Sequence, residues 1–490
     1  MKTTVPALIV LLFLTSCAVS RFQPERKFAP EALREDYRLF QNILEEAHPG
    51  LYWYTSKDSM DYFFAKGENL LTDSLTEQKF RNVLSYVTAK IRCGHTSVRP
   101  SRGAQRFFDN RAPSLPLFIK AWPDTTIVTA NINVKDSQVV RGVLLTSMDN
   151  RSMQQVIDSM FSHISTDGYN ATHQYQALSN GSAFRAMYAS LFGLKPTIPV
   201  TFIDSTGDEK QAMLRMYVPP KPDSTKPPVK PPKLSKRERK KRERMAMRSL
   251  RIDSANRYAV LEVNTFAKNN ALRPFFRRSF REIRKRNIEN LVVDMRGNGG
   301  GSVILSNLLT KYISDRPFKI ADTLYAVRRG SHYGKYQQNR FWNWLFLTLF
   351  THKKADGNYH FALFENKWFQ PKKKNHFSGQ TYILTGGNTF SAASIFTKSL
   401  QHQPHVTVVG EETGGGAYGN TAWLIPDVTL PNTGVRFRLP LFRLVVDKDA
   451  QKGRGVIPDV AAPPTTEAIR ERKDFKLDKV LELVEKKTKD

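Results

Sequence analysis

Cysteine is almost absent from this chain of 490 residues, which contains Cys17, Cys93 and no other. Two cysteines exclude a disulfide-rich scaffold and any cysteine-rich zinc site. Long apolar runs are also missing, because the clearest one, from Val5 to Leu14, is too short to cross a bilayer. With 40% hydrophobic residues the chain can still bury two or three cores. The composition therefore favours a globular protein that depends on packing and not on disulfide bonds.

Acidic residues are the second deficit, since 45 of them stand against 75 basic residues, for a net charge of +30. The segment from Lys221 to Arg251 holds 13 basic and 3 acidic residues, and seven prolines lie between Pro219 and Pro232. Prolines favour extended structure, and dense positive charge attracts nucleic acid or anionic lipid. The segment has no aromatic residue, so we expect no nucleic-acid partner. A solvated basic linker is the default interpretation, and contact with membrane phosphates is the alternative.

The N-terminus predicts export. A short charged start precedes the apolar run, which is followed by Leu14-Thr15-Ser16-Cys17, and this arrangement has the shape of a secretory signal. The four residues resemble a bacterial lipobox, which implies cleavage before Cys17 and a lipid on its sulfur. Ala18, in place of an aspartate, favours the outer membrane facing the periplasm. An ordinary signal peptide with an incidental cysteine is the alternative.

The most informative segment lies between Ile383 and Lys398. An apolar strand ending at Leu384 leads through a Gly-Gly-Asn turn to Ser391, where a helix of small residues begins. A serine at such a junction lifts its hydroxyl off the sheet edge, and the N–H groups that follow face any developing negative charge. A serine there is also a common helix N-cap. Ser391 is therefore a candidate nucleophile, with the N–H of Ala392 as a candidate oxyanion donor.

A glycine loop about ninety residues earlier is the second candidate element. A strand predicted from Asn290 to Asp294 is followed by the loop up to Gly301 and by a helix predicted from Ser302 to Ile313. Consecutive glycines let backbone N–H groups converge on an anion. The phosphate-loop and dinucleotide-binding glycine patterns do not fit the spacing. An oxyanion hole that uses Gly299 or Gly300 is the better interpretation.

Together these two segments resemble the C-terminal processing, or tail-specific, serine peptidases. Two more stretches follow in the family's order: Val408 to Gly415 looks like its Val-Gly-Glu-x-Thr-x-Gly motif, and Gly453 to Asp459 is similar to its closing Gly-Val-x-Pro-Asp. The resemblance covers roughly residues 256–462. It implies an α/β core of the crotonase or ClpP type within an α+β protein, and it implies no metal or organic cofactor.

The general base distinguishes two branches of that family. The Ser–Lys branch places its lysine after Gly-Glu-x-Thr-x-Gly, where this chain has Gly416. The branch that resembles the tricorn core and the retinoid-binding protein of the eye takes its base from an N-terminal Gly-His-Thr, which matches Gly94-His95-Thr96. A neighbour with a pKa near 7 can accept the serine proton. His95 is therefore the expected base for Ser391.

The acid that orients this histidine is poorly defined by the sequence. In that branch a glutamate stands shortly before Gly-Val-x-Pro-Asp, but here the approach is Gln451-Lys452-Gly453-Arg454. Asp449 is the candidate we name, among nearby acids that include Asp447, Glu411 and Glu412. Ser394 also stands where the family commonly has a glutamate. Cys93 is a less favoured nucleophile, because neighbours along a loop need not face each other.

The domain organisation follows from these segments and from composition. Family members often carry a PDZ-like domain between the motifs, and an α+β spacer is the alternative here. An aromatic-rich insertion at 330–377 is either internal packing or a wall of the substrate cleft. The expected regions are a signal peptide at 1–16, a tether at 17–29, a helical region with His95 at 30–113, a middle domain at 114–218, a linker at 219–251, the peptidase core at 252–465 and a charged C-terminal helix at 466–490.

The resulting hypothesis is a lipid-anchored serine endopeptidase of the cell envelope, bound to the membrane through Cys17. Its partners would be protein or peptide substrates, and the sequence does not define its oligomeric state. A catalytically impaired peptide- or ligand-binding relative is the first alternative. A crotonase-type acyl transferase is the second, although such an enzyme does not need a serine at the strand end.

Overall fold

The structure is a computed structural model that describes residues 22–107, 112–133, 138–220, 234–255 and 257–489. The predicted signal peptide, Cys17 and most of the proline-rich segment lie outside the described residues. None of the described helices is both long enough and apolar enough to span a membrane.

The N-terminal region is helical, as predicted, because apolar residues recur along one face of each helix. Leu33, Tyr37, Phe40 and Leu44 are buried on its first helix. The helices are α1 (Pro30–Ala47), α2 (Lys57–Glu68), α3 (Glu77–Lys90) and α4 (Arg102–Arg106), with short strands β1 (Lys27–Phe28), β2 (Leu75–Thr76) and β3 (Val98–Arg99). His95 lies in the turn between α3 and β3.

The middle region is an antiparallel sheet in the order β4-β5-β6-β8-β9, with β7 paired to β6. Its core contains residues from the sheet and from three helices, among them Val128, Ile157 and Tyr188. The elements are β4 (Leu117–Trp122), β5 (Thr125–Asn131), β6 (Leu144–Met148), β7 (Arg151–Ser152), α5 (Met153–Phe161), α6 (Ala171–Ser179), α7 (Ala183–Phe192), β8 (Thr197–Ile203) and β9 (Glu209–Arg215).

The basic part of the predicted linker forms a helix, α8 (Lys236–Met247), instead of an irregular segment. Ser235 accepts a hydrogen bond from the N–H of Glu238, and the Glu238 side chain accepts one from the N–H of Ser235. This capping box satisfies two backbone donors at the helix start. The charge run thus continues directly into the first strand of the next sheet.

A further six-stranded sheet, called the large sheet below, is mostly parallel and has the order β10-β11-β12-β16-β17-β22. Only the β10–β11 pair is antiparallel within it. Apolar residues of α9, α10 and α12 cover one face, and Val480 and Val484 of α14 pack on the other. The elements are β10 (Arg248–Asp253), β11 (Tyr258–Val263), α9 (Leu272–Lys285), β12 (Asn290–Asp294), α10 (Val303–Ile313), β16 (Gln380–Thr385), α12 (Ala392–Leu400), β17 (Val406–Gly410), β22 (Val460–Ala461), α13 (Thr466–Glu471) and α14 (Phe475–Lys489).

A second sheet has the order β14-β15-β13-β21-β18, and a third pairs β19, β20 and β3. One hydrophobic core joins the second sheet to helices α1 to α3, so the N-terminal region shares its core with the peptidase-like part. Their elements are β13 (Thr323–Ala326), α11 (Arg340–Phe350), β14 (His352–Lys353), β15 (Tyr359–His360), β18 (Gly419–Ala422), β19 (Asp427–Thr429), β20 (Arg436–Arg438) and β21 (Phe442–Val445), with 3₁₀ turns at Lys268–Asn270 and Gly334–Tyr336.

Three loops meet at one edge of the large sheet. Strands β12, β16 and β17 are parallel neighbours, and Asp294 is in register with Leu384, which is in register with Val409. Their carboxyl ends therefore point the same way. The glycine loop after β12, the turn before Ser391 and the loop after β17 consequently lie side by side.

Candidate active site

Ser391 stands at the junction of β16 and α12 in a strained backbone conformation, with φ 55° and ψ −122°. Such a conformation costs a non-glycine residue of the order of 1–3 kcal/mol and is concentrated at functional sites. Its side chain makes no capping hydrogen bond to the helix. The simple N-cap interpretation therefore fails, and the hydroxyl is free for chemistry.

Hydrogen bonds from two neighbouring loops hold this strained turn. Thr389 donates its hydroxyl to the carbonyl of Met295, 2.9 Å away, and the N–H of Phe390 donates to the carbonyl of Asn298 at 3.0 Å. Gly415 donates its N–H to the carbonyl of Thr389 at 3.1 Å. Ser394 donates its hydroxyl to the same carbonyl at 2.8 Å. The serine that replaces the family's glutamate is thus part of the support for the turn.

The glycine loop packs directly on Ser391. A Cβ added to Gly300 would lie 2.7 Å from the Cβ of Ser391 and 2.8 Å from the carbonyl of Phe390, and φ is +96° there. The N–H of Gly300 is donated to the Asn298 side chain at 2.9 Å. Within the described residues, the N–H groups of Gly299 and Ala392 have no acceptor. Gly299 and Ala392 therefore keep free donors, whereas Gly300 supplies close packing.

His95 lies beside Phe390, the residue that precedes Ser391. His95 is 5% exposed, and its ring packs against the Phe390 ring with 4.9 Å between ring centroids. Neither ring nitrogen has a hydrogen-bond partner in the described part of the chain. His95 and Ser391 are therefore brought to the same site but are not hydrogen bonded to each other.

Asp167 is the carboxylate that faces His95, and the sequence analysis did not identify it. One of its oxygens lies 4.0 Å from Nδ1 of His95. The same oxygen accepts the N–H of Gly94 at 2.8 Å, and the other accepts the N–H of Gly416 at 3.2 Å. The loop between α5 and α6 thus places an acid between the histidine turn and the loop after β17. An Asp-Gly pair in a loop carries no local signal for this role.

Burial is the main cause of the pKa shifts of His95 and Asp167. Burial, aided by Arg438 and His173, lowers the pKa of His95 to about 3. Burial raises the pKa of Asp167 from its ordinary 3.8 to about 7, although the two backbone N–H groups oppose the shift. His95 is therefore neutral at physiological pH, as a general base must be. Asp167 ionises near neutral pH, and its ionisation determines whether the histidine has a negative partner.

The acids that the sequence placed near the closing motif are engaged elsewhere. Asp449 is exposed and donates its N–H to Asp447, whose carboxylate pairs with Lys398 at 3.0 Å. Glu412 forms a two-pronged ion pair with Arg454. None of the contacts of Asp449 within the described residues involves His95.

Glu411 pairs with Lys476, the buried lysine nearest to the strand end that precedes Ser391 in the chain. The buried ammonium of Lys476 donates to Glu411 at 2.6 Å and to the carbonyl of Thr385 at 2.9 Å. Both partners hold its protons, so it is not free to accept the serine proton. Since Gly416 occupies the expected lysine position, the geometry offers no Ser–Lys dyad among the residues it describes.

Cys93, His95 and Asp167 form a group of ligand-type atoms that lie within 4.8 Å of one another. The group has the composition of a cation site. However, the Cys93 sulfur contacts the Thr421 hydroxyl at 2.5 Å, and burial raises the pKa of the thiol. Both Asp167 oxygens already accept backbone hydrogen bonds. The Cys93 thiol and both Asp167 carboxylate oxygens are therefore already engaged, and Cys93 is a buried packing residue.

Ser391 opens into a cavity of about 480 Å³ with apolar walls. Phe346, Phe361 and Phe364 come from the aromatic insertion, and Trp423 closes the wall beside them. Asn420 also lines the cavity, is 2% exposed, and has no partner for either polar atom of its amide among the described residues. The insertion thus both packs internally and forms a wall next to Ser391.

The comparisons with known proteins agree with this architecture. Residues 257–462 match the model of peptidase family S41. The solved structure of mature CPAF complexed with lactacystin is 17% identical and superposes with a TM-score of 0.64, covering 93% of this chain and 98% of that chain. Mature CPAF alone gives 16% identity, a TM-score of 0.62 and coverages of 93% and 98%. No curated protein sequence matches the chain.

These comparisons confirm the predicted fold class, a mixed α/β protein with a ClpP-like protease core. At this level of identity the structural likeness shows the fold, and the roles of the individual residues rest on the geometry above.

Proposed function

We propose that this chain, whose residues 257–462 match peptidase family S41, is a serine endopeptidase that cleaves proteins or peptides through an acyl-enzyme. The observation that carries the proposal is the uncapped, strained Ser391 beside the free N–H of Ala392. The buried His95–Asp167 pair lies next to the same turn. A structural N-cap needs neither the strain nor the buried pair.

In the proposed reaction the Ser391 oxygen forms a bond to the scissile carbonyl carbon while Nε2 of His95 accepts the hydroxyl proton. The N–H groups of Ala392 and Gly299 stabilise the oxyanion, and each such donor typically contributes ~10²–10³ in rate. The C–N bond then breaks as His95 returns the proton to the leaving amine. Water, deprotonated by His95, hydrolyses the acyl-enzyme in the second half of the reaction.

Asp167 takes the orienting role in this proposal. Its oxygen lies on the Nδ1 side of His95, so an ionised Asp167 favours the tautomer that leaves Nε2 unprotonated. The 4.0 Å separation must shorten for a hydrogen bond to form. Catalytic hydrogen bonds are often long before substrate binds.

The cavity indicates the substrate class. Its aromatic walls favour a large apolar side chain next to the scissile bond. The amide of Asn420 has no partner among the described residues and can donate to a substrate carbonyl there. A hydrogen bond to substrate would recover the cost of burying an unpaired amide, which is about 1–3 kcal/mol. Asn420→Leu should therefore lower kcat/KM by about tenfold or more on apolar peptides. An unchanged kcat/KM would remove Asn420 from the substrate site.

A catalytically impaired binding relative remains the second candidate because of one observation. The Phe390 ring packs on His95, and His95 has no hydrogen bond to Ser391. In that case the apolar cavity would bind peptide without cleaving it.

A fluorophosphonate probe separates the two functions, because it labels only an activated serine. We expect labelling of the wild type and its loss in Ser391→Ala, His95→Ala and Asp167→Asn. Asp449→Asn is the matched control, since it removes an equivalent charge from an exposed aspartate. Labelling lost in Asp449→Asn but kept in Asp167→Asn would reverse the assignment of the acid. An unlabelled wild type that binds peptides would establish the binding function.

We further propose that the protein is anchored by lipid at Cys17 in the outer membrane, facing the periplasm. The lipobox-like sequence supports this location. Mass spectrometry of the N-terminal peptide, with Cys17→Ala as control, should find a lipid on residue 17. An unmodified Cys17 in the mature protein would exclude the anchor.

A further inference from the structure

The basic side chains of helix α8 are exposed to solvent and repel one another, which destabilises the helix. Seven of its twelve residues are basic, two are acidic, and none is buried. Like charges four residues apart, such as Arg237 and Lys241 or Lys240 and Arg244, destabilise an isolated helix. A helix of this composition is stabilised when an anion neutralises one of its faces.

Helix α9 completes a groove with α8 and β10. The groove is lined by seven basic residues and by Glu282 as its one acidic residue. The carboxylate of Glu282 lies 3.8 Å from Arg286, which is outside the groove lining. The basic lining consists of Arg237, Lys240, Lys241, Arg244, Arg248, Arg278 and Arg281.

The seven basic residues of the groove lining form no ion pair within the described part of the chain. The Nε atoms of Arg244 and Arg248 are buried without a hydrogen-bond partner. Burial, together with repulsion from Arg278 and Arg244, lowers the pKa of Arg248. A guanidinium Nε that is buried without a partner is unfavourable unless a ligand pairs the group.

The groove also has apolar surface suited to lipid. Met245 of α8 is 64% exposed, and Leu250 and Phe275 line the groove. The Phe275 ring is covered by the guanidinium of Arg248, 4.6 Å from the ring centroid, so it is not a free surface for stacking bases. Basic residues with exposed methionine beside them fit a phosphate headgroup and the start of its acyl chains.

We propose that the α8–α9 groove binds the phosphate of an anionic lipid headgroup at a membrane surface. The guanidinium groups hold the phosphate oxygens, and the α8 lysines face the surrounding negative surface. This inference is independent of the peptidase proposal, because the groove contains none of the catalytic residues. It gives the basic segment a function other than that of a solvated linker.

The test is binding of the chain from residue 22, which contains every described element and lacks Cys17, to vesicles. Vesicles of phosphatidylcholine with a third phosphatidylglycerol are compared with pure phosphatidylcholine at increasing salt. Each basic residue at an anionic surface contributes about fivefold to binding. We therefore expect at least a hundredfold weaker binding for the α8 variant and at least a tenfold loss for the α9 variant. The α8 variant carries glutamine at Arg237, Lys240, Lys241 and Arg244, and the α9 variant carries it at Arg278 and Arg281.

The control removes the same charge as the α8 variant from other exposed lysines: Lys79, Lys353, Lys373 and Lys374, each changed to glutamine. It should bind anionic vesicles within about twofold of the wild type. An equal loss in the control would mean that net charge alone is responsible and would overturn the groove. Unchanged binding in the α9 variant would overturn it as well. Tight binding of inorganic phosphate or an oligonucleotide without vesicle binding would exclude a lipid occupant.

Discussion

Asp167→Asn should change activity and stability in opposite directions above neutral pH. The carboxyl is 1% exposed, and its burial raises its pKa from 3.8 to about 7. A group whose pKa is raised on folding contributes stability that is complete below the unfolded pKa. That stability is lost as the pH rises through the folded pKa. The wild type thus becomes less stable from about pH 4 to about pH 7 because of this one side chain.

The magnitude follows from the two pKa values. The interval from 3.8 to about 7, at about 1.36 kcal/mol per pH unit, corresponds to roughly 4 kcal/mol in total. Roughly 2–3 kcal/mol of this falls between about pH 5 and about pH 8. Asparagine does not titrate, but it keeps one acceptor for the two N–H groups of Gly94 and Gly416. The unpaired N–H costs about 1–3 kcal/mol at every pH.

The assay is urea unfolding of wild type and variant at several pH values, because titrating groups that do not interact with Asp167 cancel in the difference. The free energy of unfolding of Asp167→Asn relative to wild type should rise by roughly 2–3 kcal/mol between about pH 5 and about pH 8. At the upper pH its labelling by fluorophosphonate should fall at least about a hundredfold. Asp449→Asn should run parallel to the wild type. A pH-independent difference between Asp167→Asn and wild type would refute the reasoning.

Three further results are expected. Fluorophosphonate labelling of the wild type should rise with pH through about 7, because Asp167 must ionise whereas burial keeps His95 neutral down to about pH 3. A midpoint of the labelling profile near pH 4 would mean that the acid is not buried. Gly300→Ala should abolish labelling in a folded protein, since the added Cβ would lie 2.7 Å from the Ser391 Cβ. Gly207→Ala controls for backbone strain alone, because Gly207 has φ +97° and an added Cβ there would have no atom within 4 Å. An active Gly300→Ala would contradict the packing. Ser391→Gly should unfold at a higher temperature than Ser391→Ala, with a difference in the free energy of unfolding of about 1–2 kcal/mol, because glycine adopts the positive φ without strain. Equal melting temperatures would show that the turn is not strained.

Asp167, the acidic member of the site, is the residue that the sequence could not reveal. The search for it followed the closing motif and named Asp449, which the structure leaves exposed. Asp167 belongs to the middle region and reaches His95 only because its loop packs against Gly94 and Gly416. No pattern of neighbours along the chain marks such a carboxylate, since burial and partner distance are properties of the folded state.

Local sequence patterns were enough to predict the elements at the edge of the large sheet. Strand β12 runs from Asn290 to Asp294 as predicted, and helix α10 begins at Val303, next to the predicted Ser302. These elements depend on apolar periodicity and on glycine, which act over a few residues. The same local chemistry marked Ser391 as a candidate, whereas the Gly-His-Thr turn was marked by its resemblance to a peptidase family.

Tertiary packing determines how those candidates combine. It freed the Ser391 hydroxyl from helix capping, bound the N–H of Gly300 to Asn298, and left the N–H of Gly299 unpaired. It also turned the basic run into a helix that faces the arginines of α9. Each outcome depends on contacts between segments that are distant in the chain, because hydrogen-bond competition, burial and charge crowding arise only when those segments pack together.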